Sequence, residues 1–565
     1  MTPHPSVNIV EAARAAAQTN PEKIAYRFIE PEGEQTLSYA QLIAWVDNLA
    51  ATLSDQDLAG QNATALLVLP AGLEFIATFL ACLSAQVLVV PVPAPRNARQ
   101  VAALSAIAQS AKPRIILTQG TLMERWSPWF DAAPMLRDIP WFDIDDVPRS
   151  MPVTEALPSA FRQDVAYLQY TSGSTSAPKG ARISHANLAA NLTDITAAFR
   201  IDGHSVICSW LPHFHDMGLV GGILTPLYNG ASCILMSPLT FLTRPRIWFE
   251  TITRYKVDIS GGPNFAYALC QSRIKPDDLT GLDLSNWKLA FSGAEPVQAS
   301  SLTGFADAFA GCGFNADALF PCYGLAEATL FVSGRLQGIQ GALTLNTAAL
   351  AANKAIPAAQ EDSPTAGISM VSCGPWRGTT DVQIVQADCL PAPAGHVGEI
   401  WIAGDGVSDG YHDNPKATAV TFGHTLPGRS ERYLRTGDMG FVHNGELFVV
   451  GRLKDVIVVG GKNFHASDLE QTARQQSSHI QDAALVAIGV PSDQGTEEIH
   501  LLIERMRKHY DDEESLATRI IQAIVEQFDV AVMKVHFTKH GALPRTTSGK
   551  LKRVECKAAY LEGAL

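Results

Sequence analysis

Apolar positions along the first 330 residues follow two rhythms. Short runs rich in β-branched residues, Ala65–Leu69, Val87–Val90, Arg114–Thr118 and Ser232–Met236, have the length of buried strands. Between them lie stretches with helical spacing, among them Glu74–Ser84 and Ala186–Phe199, the second with Ser184 placed as its N-cap. Alternation of this kind predicts an α/β protein with sheets covered by helices. The longest apolar stretch, 63–90, is broken by Pro70, Gly72 and Glu74, so it divides into strand, helix and strand and is not a transmembrane segment.

The pattern changes twice further on. Residues Gly334 to Gly367 are rich in Ala, Gln, Thr and Pro and read as an insertion, about 334–370, with at most one short helix. From Ile400 the chain turns β-rich, with frequent Gly turns. Arg452-Leu453-Lys454-Asp455 separates two strand-like runs, Leu447–Val450 and Val456–Val459. A small α+β pattern follows: helix Ala466–Ser477, strands Asp482–Ile488 and Ile499–Ile503, helix Glu513–Phe528. The reading is a large N-terminal domain, 1–451, of mixed sheets covered by helices plus a β-rich subdomain. A small α+β C-terminal domain, 452–565, joins it by a hinge.

Composition narrows the chemistry. With 565 residues the chain exceeds one compact core, and 47% apolar residues suit a globular protein. A formal net charge of -13 argues against a nucleic-acid partner, which needs a basic surface. The nine cysteines form no CxxC pair, and the N-terminal residues lack the pattern of a signal peptide, so a cytoplasmic protein is expected.

One loop carries candidate chemistry. Thr171, Ser172, Ser174 and Thr175 offer hydroxyls to phosphate oxygens, Gly173 and Gly180 let the backbone approach a ligand, and Lys179 supplies a cation. Gly follows Lys179 where the P-loop of nucleotide hydrolases has Ser or Thr, so that motif is absent. By itself this loop is equally compatible with a polar surface turn.

It does not stand alone. Ser292-Gly293-Ala294-Glu295-Pro296, Cys322-Tyr323-Gly324-Leu325-Ala326-Glu327, Tyr433–Asp438, Gly451–Asp455 and Leu543–Lys550 follow in order. Together with the loop they resemble the adenylate-forming superfamily of acyl-CoA synthetases, luciferases, peptide-synthetase adenylation domains and fatty acyl-AMP ligases. The resemblance implies ATP and Mg2+ as cofactors. It places Thr171, Ser172, Gly173, Ser174, Thr175, Lys179, Gly293, Ala294, Glu295, Tyr323, Gly324, Asp438 and Arg452 around the nucleotide. Glu327 would hold the metal, Lys454 would be the hinge, and Lys550 the catalytic cation. In-line attack of a carboxylate on the α-phosphate brings two anions together, a task for positioned charge and not for proton transfer.

Pro212-His213-Phe214-His215-Asp216-Met217-Gly218 has the look of a metal cluster, but no third histidine has the spacing. By resemblance His215 lines the junction of the acyl and ATP pockets and is the second catalytic candidate; His213 has no assigned role.

Trp210–Gly230, Met236–Pro245 and Ser260–Tyr267 resemble fatty acyl-AMP ligases more closely than other branches, and so does the insertion, which in that branch restricts the small domain and disfavours CoA. A medium- or long-chain fatty acid is then the expected substrate. Gly221, Gly222, Ile223, Gly261, Gly262 and Phe265 are the candidates for its pocket. The acceptor implied is the phosphopantetheine arm of an acyl carrier protein, with CoA as the alternative. Val459–His465 departs from the family's commoner turn, and the tail lacks a carrier's Asp-Ser-Leu site, so a stand-alone enzyme is expected. A non-catalytic acyl- or nucleotide-binding relative is the remaining reading.

Overall fold

The computed structural model describes residues 8–30, 33–55, 63–149, 165–171, 178–336, 339–358, 367–477, 480, 483–492, 497–505, 512–546 and 550–565. The β-branched runs become strands buried on both faces, as Thr64–Val68 and Leu88–Val92 show. They build two mainly parallel sheets. One has six strands in the order Trp141–Asp143, Ile115–Thr118, Thr64–Val68, Leu88–Val92, Val165–Thr171 and Lys179–Ser184, the last antiparallel. The other has eight, in the order Phe331–Gly334, Leu319–Gly324, Leu289–Ser292, Ile259–Gly262, Val206–Ser209, Ser232–Met236, Ile24–Glu30 and Gly33–Ser38. Its six inner strands run parallel and its two edge strands antiparallel. The helix His185–Phe199 begins in a reciprocal capping box between Ser184 and Asn187 and packs into the main core. A four-stranded antiparallel sheet, Asp381–Val385, Gly398–Ala403, Leu434–His443 and Glu446–Arg452, is the β-rich part expected after Ile400.

Beyond Asp455 a hairpin, Val456–Val459 with Lys462–His465, leads to a three-stranded sheet of Leu485–Pro491, Glu497–Glu504 and Val532–Thr538. The helix Glu513–Phe528 has the bounds its periodicity predicts. The helix expected over Ala466–Ser477 ends at Arg474, where the Gln475 N–H turns back onto the Ala473 and Gln471 carbonyls. The strand Val532–Thr538 and the helix Arg553–Leu561 were not expected, because Lys534 and His536 in one and four charged or polar residues in the other blur the apolar period.

The insertion holds more than one short helix. Leu343–Asn346 pairs antiparallel with Gly367–Met370, and the helix Thr347–Ala351 is capped by Asn346, whose Oδ1 accepts the Ala349 N–H at 2.9 Å. Leu345, Leu350, Ile368 and Met370 share one hydrophobic core with Ile457, Phe464, Leu469, Ile520 and Ile524 of the C-terminal part. Among the described residues no helix is long and apolar enough to cross a membrane.

Candidate active site

Four of the phosphate-loop candidates, Ser172, Gly173, Ser174 and Thr175, lie outside the described residues. The two ends of that loop are held side by side: Thr171 closes one strand and pairs in register with Lys179, which opens the next. The Lys179 ammonium lies 5.2 Å from the centre of the Tyr411 ring. The Tyr411 hydroxyl in turn donates to Glu327 Oε1 at 2.8 Å. Tyr411 thus ties the loop's cation to the candidate metal ligand, and the sequence reading passed over it. A lone aromatic in Gly410-Tyr411-His412-Asp413 carries no sequence signal that separates it from a core residue.

The remaining candidates gather at the carboxyl ends of the eight-stranded sheet, where ligands bind in open α/β sheets. Tyr323 ends its strand there and donates through its hydroxyl to Asp438 Oδ2 at 2.7 Å. Asp438 and Arg452 face each other across a hairpin, in register, and form an ion pair at 3.4 Å. Lys454 sits in the single turn Leu453–Asp455 just beyond. The Lys550 ammonium reaches across from the C-terminal part and donates to the carbonyl of Ala294 at 2.7 Å. Ala294 adopts a φ of 65°, a left-handed conformation that costs a non-glycine residue about 1–3 kcal/mol. Gly293, beside it, has no room for a side chain, since a Cβ would stand 2.9 Å from the Cys322 carbonyl. Glu295 accepts the Phe265 N–H at 2.6 Å. Gly324 runs so close to the Leu330 carbonyl that a Cβ would overlap it.

The electrostatics follow from burial of many charges together. Desolvation raises the carboxyls of Asp216, Glu295, Glu327 and Asp438 above the usual range, while hydrogen bonds or neighbouring cations pull each back. Lys550 is lowered by desolvation, opposed by Asp216 and Glu295. Lys454 is lowered for the same first reason, with Arg452 adding to it. A pocket in which carboxyls are pushed toward neutrality and cations are only partly compensated is suited to a polyanion carrying its own cation.

His215 and His213 part company here. His213 is buried, accepts or donates at the Leu69 carbonyl through Nε2 at 2.9 Å, and packs edge-on against Phe75. It belongs to the core. His215 points its Nε2 into the site with no hydrogen-bond partner, and burial holds its pKa down at about 4, with Lys550 pushing the same way. It is a neutral imidazole at pH 7. Asp216 follows as the N-cap of a π-helix, Met217–Leu224. No group of three or more His, Cys, Asp or Glu side chains able to hold a metal occurs among the described residues.

An apolar cavity opens beneath this cluster. Asp216, Ala294, Tyr323 and Gly324 lie in its wall together with Met217, Gly221, Ile195, Phe199, Ile201, Ile207, Ile259, Phe291, Leu330 and Phe331. Of the six residues expected in an acyl pocket only Gly221 lines this cavity. A Cβ on Gly222 would meet Ser209 Oγ at 2.5 Å, one on Gly261 the Phe291 carbonyl at 2.2 Å, and one on Gly262 the Trp210 ring at 2.4 Å. These glycines serve close packing and not open space. Ile223 is 4% exposed and packed in the core, its carbonyl accepting from Tyr26, and Phe265 is on the surface at 41% exposure. The helix His185–Phe199 supplies the wall instead, a role its sequence does not distinguish from ordinary packing.

With this geometry in hand, known proteins were compared. A family model described as AMP-binding enzyme matches residues 13–412, and one described as the AMP domain of Disco-interacting protein 2-like proteins matches 454–565. The medium-chain-fatty-acid–[acyl-carrier-protein] ligase JamA of Moorena producens is 37% identical over 96% of this chain and 93% of its own. The long-chain-fatty-acid–AMP ligase FadD23 of Mycobacterium tuberculosis is 33% identical over 98% of this chain and 97% of its own. A fatty acyl-adenylate ligase from L. pneumophila, solved with acyl adenylate and pyrophosphate, superposes with a TM-score of 0.75 at 35% identity, covering 98% of this chain and 96% of its own.

Proposed function

This chain belongs to the AMP-binding enzyme family, among the fatty acyl-AMP ligases, and from that premise we propose that it adenylates a medium- or long-chain fatty acid with ATP and passes the acyl group to the phosphopantetheine thiol of an acyl carrier protein. The observation that carries this reading is the Lys550 ammonium brought to the Ala294 carbonyl at the mouth of an apolar cavity, with Tyr323, Asp438 and Arg452 beside it.

In this reading the alkyl chain fills the cavity and its carboxylate lies at the mouth. The carboxylate oxygen forms a bond to the α-phosphorus as the bond to pyrophosphate breaks. Lys550, a compact point charge, offsets the negative charge that both anions bring. Neutral His215 offers a ring nitrogen without adding a like charge beside Lys550. Asp438, a two-oxygen acceptor held by Tyr323 and Arg452, suits a ribose diol. Tyr323 presents its ring at the cavity wall for the adenine. Glu327 fits Mg2+ as a single hard oxygen donor, since Mg2+ keeps waters and substrate phosphates as its other ligands. When bound, Mg2+ neutralises phosphate charge.

The second half-reaction is attack of the carrier thiol on the acyl carbonyl with AMP leaving. We assign it to a reorientation of residues 452–565 about Lys454. Supporting a carrier over CoA is the insertion's shared core with the C-terminal part. A cytoplasmic setting suits the nine free cysteines.

The test is to incubate the protein with ATP, Mg2+ and a panel of fatty acids, and then add either CoA or a phosphopantetheinylated carrier. Accumulated acyl-AMP that is discharged by the carrier and only weakly by CoA is expected. Abundant acyl-CoA would overturn the acceptor assignment, and no acyl-AMP with any acid would leave a binding protein. Lys550→Ala should abolish acyl-AMP formation while sparing transfer from preformed acyl-AMP.

A further inference from the structure

The cavity has a direction. Its mouth is set by Ala294, two residues beyond the strand Leu289–Ser292, and by Tyr323 and Gly324 at the end of Leu319–Gly324. Its far end is set by Ile207 and Ile259, which pair with each other near the start of their parallel strands. Ile259 also pairs with Leu289, so the cavity spans the interval from Leu289 to Ala294. Five strand residues at ~3.3 Å each give roughly 16 Å. At ~1.3 Å per bond of an extended chain, as the 3.8 Å spacing of Cα atoms across three bonds implies, that accommodates roughly twelve carbons.

Phe199 and Ile201 stand at this far end. The helix His185–Phe199 stops there with Arg200 in a left-handed conformation, and the Ile201 N–H returns to the Thr196 carbonyl at 3.0 Å. That turn fixes both side chains. The Phe199 ring is held on three sides, with ring centroids 5.8 Å from Phe291, 4.8 Å from Phe320 and 5.9 Å from Phe331. Unlike Phe320 it lines the cavity, and unlike its buried neighbours it is only partly covered.

We infer that Phe199 is the floor of the acyl cavity and restricts the enzyme to medium-chain acids of no more than roughly twelve carbons. This rests on the reading of the cavity as the acyl site. Removing the ring opens the floor at the end of the helix; enlarging it raises the floor.

The experiment measures kcat/KM for ATP–pyrophosphate exchange with saturated acids from six to eighteen carbons, in the native protein and in Phe199→Ala, Phe199→Leu and Phe199→Trp. The native profile should fall at least tenfold beyond twelve carbons. In Phe199→Ala the ratio of the sixteen- to the eight-carbon acid should rise tenfold or more, with Phe199→Leu intermediate, and Phe199→Trp should move the optimum to shorter acids. Thermal melting establishes that each variant is folded, and Phe199→Leu carries the test if the alanine variant is not. Native activity that is equal at ten and sixteen carbons overturns the inference, as does a folded Phe199→Leu or Phe199→Ala with an unchanged profile. Exchange with no acid of any length would overturn the adenylation reading and this inference together.

Discussion

Truncating Leu345 and Leu350 to alanine, singly and together, should loosen the C-terminal part without touching the site. Both leucines sit on the insertion, at 0% and 2% exposure, and their core partners include Ile457, Phe464, Ile520 and Ile524 on the far side. Leu→Ala in such a setting costs about 2–5 kcal/mol, the spread reflecting how far the site collapses. That loss divides between unfolding and undocking. Every ~1.4 kcal/mol that goes to undocking raises the undocked population tenfold. If docking is what keeps CoA from the acyl-adenylate, the double variant should make acyl-CoA from preformed acyl-AMP at least tenfold faster than the native protein. Formation of acyl-AMP from ATP and acid should change by less than about threefold, since neither leucine approaches the cavity. The assay follows thioester formation with CoA and, in parallel, with holo-carrier. A double variant that melts earlier yet keeps the native CoA rate would refute the reasoning and leave the insertion as simple core.

Three further outcomes are expected. Tyr411→Phe removes the hydroxyl that donates to Glu327, a bond to a charged group worth about 1.5–3 kcal/mol, so the KM for MgATP should rise roughly ten- to hundredfold; an unchanged KM would detach Tyr411 from the metal ligand. Glu504, whose side chain is 2% exposed, accepts the Leu543 N–H at 2.8 Å and pairs with Arg545 at 3.3 Å, anchoring the segment that leads to Lys550. Glu504→Ala should therefore slow adenylation about tenfold or more while sparing transfer from preformed acyl-AMP, and equal loss in both half-reactions would show a general defect. His465, 4% exposed and without a partner at either ring nitrogen, has its pKa lowered by burial to about 4. Because the folded value lies below the unfolded one, the unfolded chain binds the extra proton, and stability falls as pH drops from about 6.5 to 4. His465→Leu should remove about one proton from that slope, up to ~3 kcal/mol across the window; parallel stability–pH curves would contradict it.

Much of this was legible before any coordinates. Strand runs such as Ser232–Met236 and the helix Glu513–Phe528 appear where their periodicity puts them, because burial on a sheet or helix face enforces that period. The juxtaposition of Asp438 and Arg452 was implicit in two motifs that the hairpin joins. What was not legible shares one cause. Small residues signal either open space or close contact, and sequence does not distinguish them. Gly261 and Gly262 were read as tunnel and are pressed against Phe291 and Trp210. Conversely, Ile195 and Phe199 carry the helical period of any core helix, yet they face the cavity. Charged segments hide their structure in the same way, as the strand Val532–Thr538 shows.

The π-helix Met217–Leu224 has a consequence for how such an enzyme can change. Its wider turn, closed by the Thr225 N–H on the Val220 carbonyl, holds more residues per turn than an α-helix. Deleting one residue between Gly218 and Gly222 would let the segment relax to α geometry, but everything after the deletion would turn by about 100° about the axis. Gly221 would leave the cavity wall, and a neighbour bearing a side chain would enter it. The width of the pocket here is stored as chain length and not as residue identity. A library of substitutions would sample the floor at Phe199 and never this wall; a library of single-codon deletions would reach it at once.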